Sequence, residues 1–181
     1  MTSPTLRGFP PIVARGARIL ILGNMPSVAS LHARQYYAHP RNAFWRLAGE
    51  LFEFDPAAPY DNRVAALNSA GVAVWDVLQS CRRVGSLDSA VERESMVAND
   101  FGALFAAHPT IRHVCFNGAA AEKNYRRLVQ VGHDLRHSRL PSTSPAHTVG
   151  FEDKLAAWRR AVDGPDPSPT KTQRADAAPT A

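Results

Sequence analysis

The chain has 181 residues, of which 45% are hydrophobic, and a formal net charge of +5 at pH 7; a single domain with a full core is expected. No apolar run reaches the roughly 18 residues of a membrane span, and Pro4, Pro10 and Pro11 interrupt the pattern of a secretory leader, so the expectation is a cytoplasmic protein without a membrane partner. Cys81 and Cys115 lack C-x-x-C spacing, which excludes a four-cysteine zinc or iron–sulfur site within the chain and leaves two buried thiols.

Residues 1–16 are Pro-rich and read as an extended lead-in. A buried strand follows over 17–22, because parallel strands covered on both faces read as continuous apolar runs. It stops at Gly23, before Pro26. Residues 27–37 are a loop or short helix. Tyr36, Tyr37, His39, Arg41, Asn42, Phe44 and Trp45 crowd around Pro40, a composition suited to gripping a flat polar ring. Residues 43–52 have helical spacing, with Phe44, Leu47, Leu51 and Phe52 as the apolar face. Asn42 stands where an N-cap would, so capping is an alternative to chemistry for this residue.

A helix over 62–70 ends at Gly71. The second strand, 71–78, carries Asp76 near its far end, as a ligand group or a turn cap. The C-R-R-V-G-S segment reads as a basic loop, with Arg82 and Arg83 as solvated charges, and Ser86 or Asp88 as caps of a short turn. A helix over 99–107 turns Phe101, Leu104 and Phe105 inward, and Pro109 ends it. Strand three, 111–116, runs into Asn117 and Gly118, then a helix through 128. There a glycine lets a helix begin close to the sheet with backbone N–H groups free. Strand four, 135–140, is more polar and ends in L-P-S-T-S-P-A-H. The last helix spans 151–162, and the tail over 163–181 lacks large apolar residues and reads as disordered.

Strands alternating with helices imply a three-layer α/β/α sandwich with a central four-stranded mainly parallel sheet. The unusual loops all leave strand carboxyl ends, which share one edge in a parallel sheet, so they can meet in a single cleft. No phosphate-loop, dinucleotide, nucleophile-elbow or H-E-x-x-H pattern is present. Asparagines orient water and read base edges without acting as bases. With stacking aromatics, hydroxyls and an arginine-rich surface, they suit recognition of a flipped nucleobase on a polyanion.

The motifs G-N-M-P-S-V-A-S-L, Y-Y-A-H-P-R-N-A-F-W, G-V-A-V-W-D-V-L, F-N-G-A-A-A-E-K and L-P-S-T-S-P-A-H, in this order, resemble the uracil-DNA glycosylase superfamily, most closely its hypoxanthine-DNA glycosylase branch. The resemblance covers 17–162, taken as the catalytic domain. It implies hydrolysis of the N-glycosidic bond of a deaminated base in DNA, by a monofunctional enzyme without cofactor or metal. A monomer at the nucleoid is expected.

Gly23, Asn24, Met25 and Pro26 match the first motif, but Met25 stands where an acid or Asn handles water. Ser142 stands where His or Asn stabilises the leaving base in the second motif. Thr143 replaces its Pro, and Ala146 falls where some relatives wedge a Leu. In the hypoxanthine branch the Asn of H-P-x-N takes over, here Asn42, the expected catalytic residue. The resemblance gives Tyr37 the stacking role and Asp76 the reading of the base edge. As an acceptor, Asp76 would favour the ring N–H of hypoxanthine; Asn117 is a second amide at the base. Ser27, Arg41, Thr143, Ser144, Pro145, Ala146 and His147 are expected at the DNA. The rivals are a uracil-specific glycosylase, a non-catalytic lesion-binding module and a small-molecule hydrolase.

Overall fold

The computed structural model describes residues 3–131 and 134–164. It begins with a strand, Thr5–Arg7 (β1), and continues through Ile19–Gly23 (β2), Val28–Ala33 (α1), Phe44–Phe52 (α2) and Tyr60–Ser69 (α3). Val72–Asp76 (β3) and Leu78–Arg82 (β4) follow, then two 3-10 turns, Asp88–Ala90 and Arg93–Ser95. Val97–Ala98 (β5), Phe101–Ala107 (α4), His113–Asn117 (β6), Ala119–Leu128 (α5), Arg136–Leu140 (β7) and Phe151–Asp163 (α6) complete the order.

The main sheet has the order β3-β2-β6-β7 and is parallel throughout. Strands β3, β2 and β6 are apolar because they are covered: every residue of β3, and all but Ile19 of β2 and Asn117 of β6, is buried. The edge strand β7 alternates half-buried and exposed positions, which explains its polar sequence R-H-S-R-L. Helices pack on the sheet as the three-layer sandwich expected.

Register sets the functional edge. Gly23 pairs with Asp76 across β2 and β3, and Asn117 pairs with Leu140 across β6 and β7. All four loops therefore leave one edge of the sheet. Gly118 has φ +99, and a Cβ there would sit 3.0 Å from the Ser142 Cβ. A glycine at this point lets the loop after β7 fold against the start of α5.

Four expectations change. The run 71–78 is two strands in different sheets, broken at Val77, because β4 turns away to pair with β1 and β5. The lead-in is thus partly sheet, and Ile12 also bridges Val74. The basic loop is replaced by the end of β4 and a buried Arg83, which is 1% exposed. The helix expected from 99 begins at Phe101, with Asp100 accepting from the Ala103 N–H at 2.9 Å. Most of the tail lies outside the described residues. Both cysteines are free and buried, and Phe44, Trp45 and Trp158 are core.

Candidate active site

One cleft at the carboxyl edge is lined by Gly23 to Ser27, Tyr37, Asn42, Asp76, Asn117 and Ser142 to Ser144. Tyr36, from the aromatic cluster around Pro40, also lines it, as do Ser30, Ser86 and Asp88, which the sequence did not place at the site. Ser86 and Asp88 carry no local signal, since the contacts that bring them there, with Val28 and Asn24, join segments far apart in the chain.

The floor is tight because Gly23 lies beneath an acid. A Cβ on Gly23 would approach Asp76 Oδ1 to 2.4 Å and Tyr37 Oη to 3.1 Å. Asp76 is 4% exposed, and its Oδ2 is enclosed with no hydrogen-bond partner among the described residues. Burial pushes this carboxyl up to about 7, the Asp88 charge adds to the shift, and Arg83 opposes it. The acceptor-only character expected for Asp76 belongs to its ionised form; burial favours the neutral acid, which can also donate.

Tyr37 occupies the left-handed region at φ 54, where a non-glycine residue is uncommon and the backbone is held by its surroundings. Phe44 stacks on its ring at 3.9 Å between centroids. The Asn117 Nδ2 donates to its hydroxyl at 3.2 Å. Burial and the Asp76 charge push the Tyr37 phenol up, so it stays protonated.

Asn42 both caps and faces the cleft. Its Oδ1 accepts from the Phe44 N–H at 2.9 Å, which ties down the first turn of α2 where Ala43 has no side-chain cap to offer. Because the partner is a donor, the amide orientation is determined. One lone pair on Oδ1 and both Nδ2 hydrogens remain beyond that bond.

The other amides are engaged by the scaffold. Asn24 donates to Asp88 Oδ1 and accepts from Asn124 Nδ2, both at 2.8 Å. Asn117 donates to Thr143 Oγ1 and accepts from the Thr143 N–H, both at 2.9 Å. Thr143 is 1% exposed, and its carbonyl accepts from the Ala43 N–H at 3.0 Å. It fastens the second loop to the first, so the expected contact of Thr143 with DNA is corrected. Met25 is buried and walls the cleft.

The rim is polar and open. Ser27 caps α1 through the Ser30 N–H at 3.1 Å. Ser142 Oγ accepts from the Ser144 N–H, and Ser144 Oγ from the Ala146 N–H, both at 3.2 Å. Pro145, Ala146 and His147 are exposed, as is Arg41, whose N–H donates to His39 Nδ1 at 3.2 Å. That bond gives His39 a structural role. Among the described residues no cluster of His, Cys, Asp or Glu could hold a metal, and no helix is long and apolar enough to cross a membrane.

The slot of this α/β domain gathers a buried acid, an oriented amide and a stacked tyrosine, groups that can stack on and hydrogen-bond a planar polar ring. The family profile described as the Uracil DNA glycosylase superfamily matches residues 10–170. A hypoxanthine DNA glycosylase of Methanosarcina barkeri is 33% identical over 156 residues, covering 86% of this chain and 96% of that protein. One of Methanosarcina acetivorans is 35% identical over 153 residues, covering 84% and 94%. A solution NMR structure of a Methanosarcina acetivorans protein, provisionally described as a uracil DNA glycosylase, superposes with a TM-score of 0.74 at 34% identity, covering 86% of this chain and 95% of that one. The chain belongs to the uracil DNA glycosylase superfamily and is, in class, a DNA glycosylase.

Proposed function

We propose that the protein excises hypoxanthine from DNA as a monofunctional glycosylase and so initiates base excision repair. The observation that carries this reading is the convergence of Tyr37, Asn42, Asp76 and Ser142 on one slot. The two hypoxanthine DNA glycosylases that resemble the chain over most of its length support the choice of base.

In this reading the nucleotide rotates out of the helix and its base stacks on the face of Tyr37 away from Phe44. Asp76 takes the lactam edge, the adjacent N–H and C=O that deamination of adenine creates. Ionised, it accepts from the ring N–H; neutral, it also donates to the ring carbonyl. Water adds its oxygen to C1′ of the sugar. The N-glycosidic bond breaks with its electron pair going to the base, and the water's proton leaves to the base or to solvent. Asn42 orients the water, since an amide has no basic site for this pH range. Ser142 and backbone N–H groups face the charge that develops on the departing ring. Ser27, Arg41, Ser144 and the exposed segment from Pro145 to His147 contact the strand.

Uracil presents the same lactam edge, which makes it the natural competitor. A panel of oligonucleotides carrying hypoxanthine, uracil or xanthine, scored for abasic sites under single-turnover conditions, tests the reading. Fastest excision of hypoxanthine is expected. A strong preference for uracil would overturn the base assignment, and binding without any abasic product would turn the reading to a lesion-binding module.

A further inference from the structure

The cleft carries two further charged groups that the mechanism above does not use, Arg83 buried behind its wall and Asp88 on the lining itself. Arg83 follows β4, is buried, and donates through Nη2 to the Pro26 carbonyl. Its Nε and Nη1 are enclosed without a hydrogen-bond partner among the described residues. Asp88, in the next 3-10 turn, accepts from Asn24, and Asn24 is held from its other side by the buried Asn124 of α5. The stretch from Arg83 to Asp88 thus packs against Gly23 to Pro26 through the Arg83–Pro26 and Asn24–Asp88 bonds. It brings one cation and one anion to bear on Asp76, the anion sharing the cleft lining with it. The remaining titratable groups that act on Asp76 are Tyr36 and Tyr37, both kept neutral by burial.

We propose that Asp88 and Arg83 are opposed positioning residues that act through Asp76: the anion favours the neutral, donor-bearing acid, the cation limits that preference, and together they set the pH above which the cleft loses its grip on a lactam edge. This rests on the reading of Asp76 as the group that meets the base. The chemistry follows from complementarity. A neutral carboxyl carries one donor and one acceptor, matching the C=O and N–H of a lactam. A carboxylate offers only acceptors and opposes the ring carbonyl oxygen. Of the two acids on the cleft lining, Asp88 is exposed and has the Asn24 N–H to stabilise its charge, whereas Asp76 is buried and its Oδ2 has no donor among the described residues; Asp76 is the one that takes the proton. The neutral form is present at low pH and is lost as pH rises through about 7, so excision has an alkaline limb.

The test is the pH profile of single-turnover hypoxanthine excision. Asp88→Asn keeps a carbonyl for Asn24 and removes the charge. Arg83→Gln keeps an amide donor for the Pro26 carbonyl and removes the opposite charge. The alkaline limb is expected to move down by about one pH unit in Asp88→Asn and up by about one in Arg83→Gln. Asp76→Asn abolishes the limb, whatever rate it retains. A limb that stays in place in Asp88→Asn, or moves the same way in both charge variants, overturns the proposal. Should Arg83→Gln fail to fold, the Asp76 carboxyl titration followed by NMR in Asp88→Asn decides: a downward shift supports it and an unmoved midpoint overturns it. A wild type that yields no abasic product from hypoxanthine DNA at any pH would instead refute the proposed function.

Discussion

Asn42 and Asn117 stand on the same sheet edge and line the same cleft, yet folding has used them differently. Asn117 donates to Tyr37 and Thr143 and accepts from the Thr143 backbone. Among the described residues the Asn42 side chain makes one bond, from the Phe44 N–H. The first amide ties three segments together. The second is aimed by one bond and keeps hydrogen-bonding capacity for a ligand. A residue's position in a cleft therefore says less about its role than what the scaffold has left unsatisfied.

Asn42→Ala separates the two most sharply. It should lower excision by about 100-fold or more, as loss of a group that orients the reacting water does, while costing only about 1 kcal/mol of stability through the lost cap. Single-turnover kinetics beside urea unfolding measure both. Wild-type-like cleavage would remove Asn42 from the mechanism.

Asn117→Ala should show the reverse balance. Three hydrogen bonds go and buried Thr143 groups lose partners, so about 2 kcal/mol of stability should be lost. The excision that remains should fall by a similar factor for hypoxanthine and uracil. A change confined to one base would give Asn117 a reading role and dissolve the contrast.

Asp76→Asn probes the cost of the unsatisfied acid. The folded value lies above the ordinary one for a carboxyl. Its stability contribution is therefore intact below the ordinary carboxyl range and is lost as pH rises towards and through about 7. The wild type should melt lower at alkaline pH than at mildly acidic pH, and Asp76→Asn should reduce that difference. An unchanged difference would mean that Asp76 is not the group responsible. The smallest effect is expected for Arg126→Ala. Arg126 pairs with Glu122 at 3.0 Å on the exposed side of α5, and its loss should stay within about 0.5 kcal/mol by thermal unfolding. A large loss there would mean that scaffold polar contacts matter well beyond the cleft.

Much of the site was legible. Apolar runs ending at Gly23, Asp76 and Asn117, with Leu140 closing a weaker one, mark strand ends, and parallel pairing brings such ends to one edge. The capping bond of Asn42 is local and was foreseeable. The small sheet of β1, β4 and β5 was not. Within β4 only Leu78 and Cys81 are buried, so L-Q-S-C-R carries no clear apolar signal, and Leu6, which pairs with Cys81, lies far away in the chain. Arg83 was misread because an arginine beside another, after a strand, is ordinarily solvated.

The sequence by itself determined the parallel sheet, its functional edge and the residue types gathered there, because apolar periodicity and chain punctuation act over a few residues. Only the tertiary structure decided which of those polar groups are satisfied and which remain open. Asn24 meets Asp88 and Asn124, Asn117 meets Thr143, and Asp76 lies above Gly23 with charges from Arg83 and Asp88 bearing on it. Hydrogen-bond satisfaction and protonation depend on distances between groups remote in the chain and on their exclusion from water, and no local pattern encodes either.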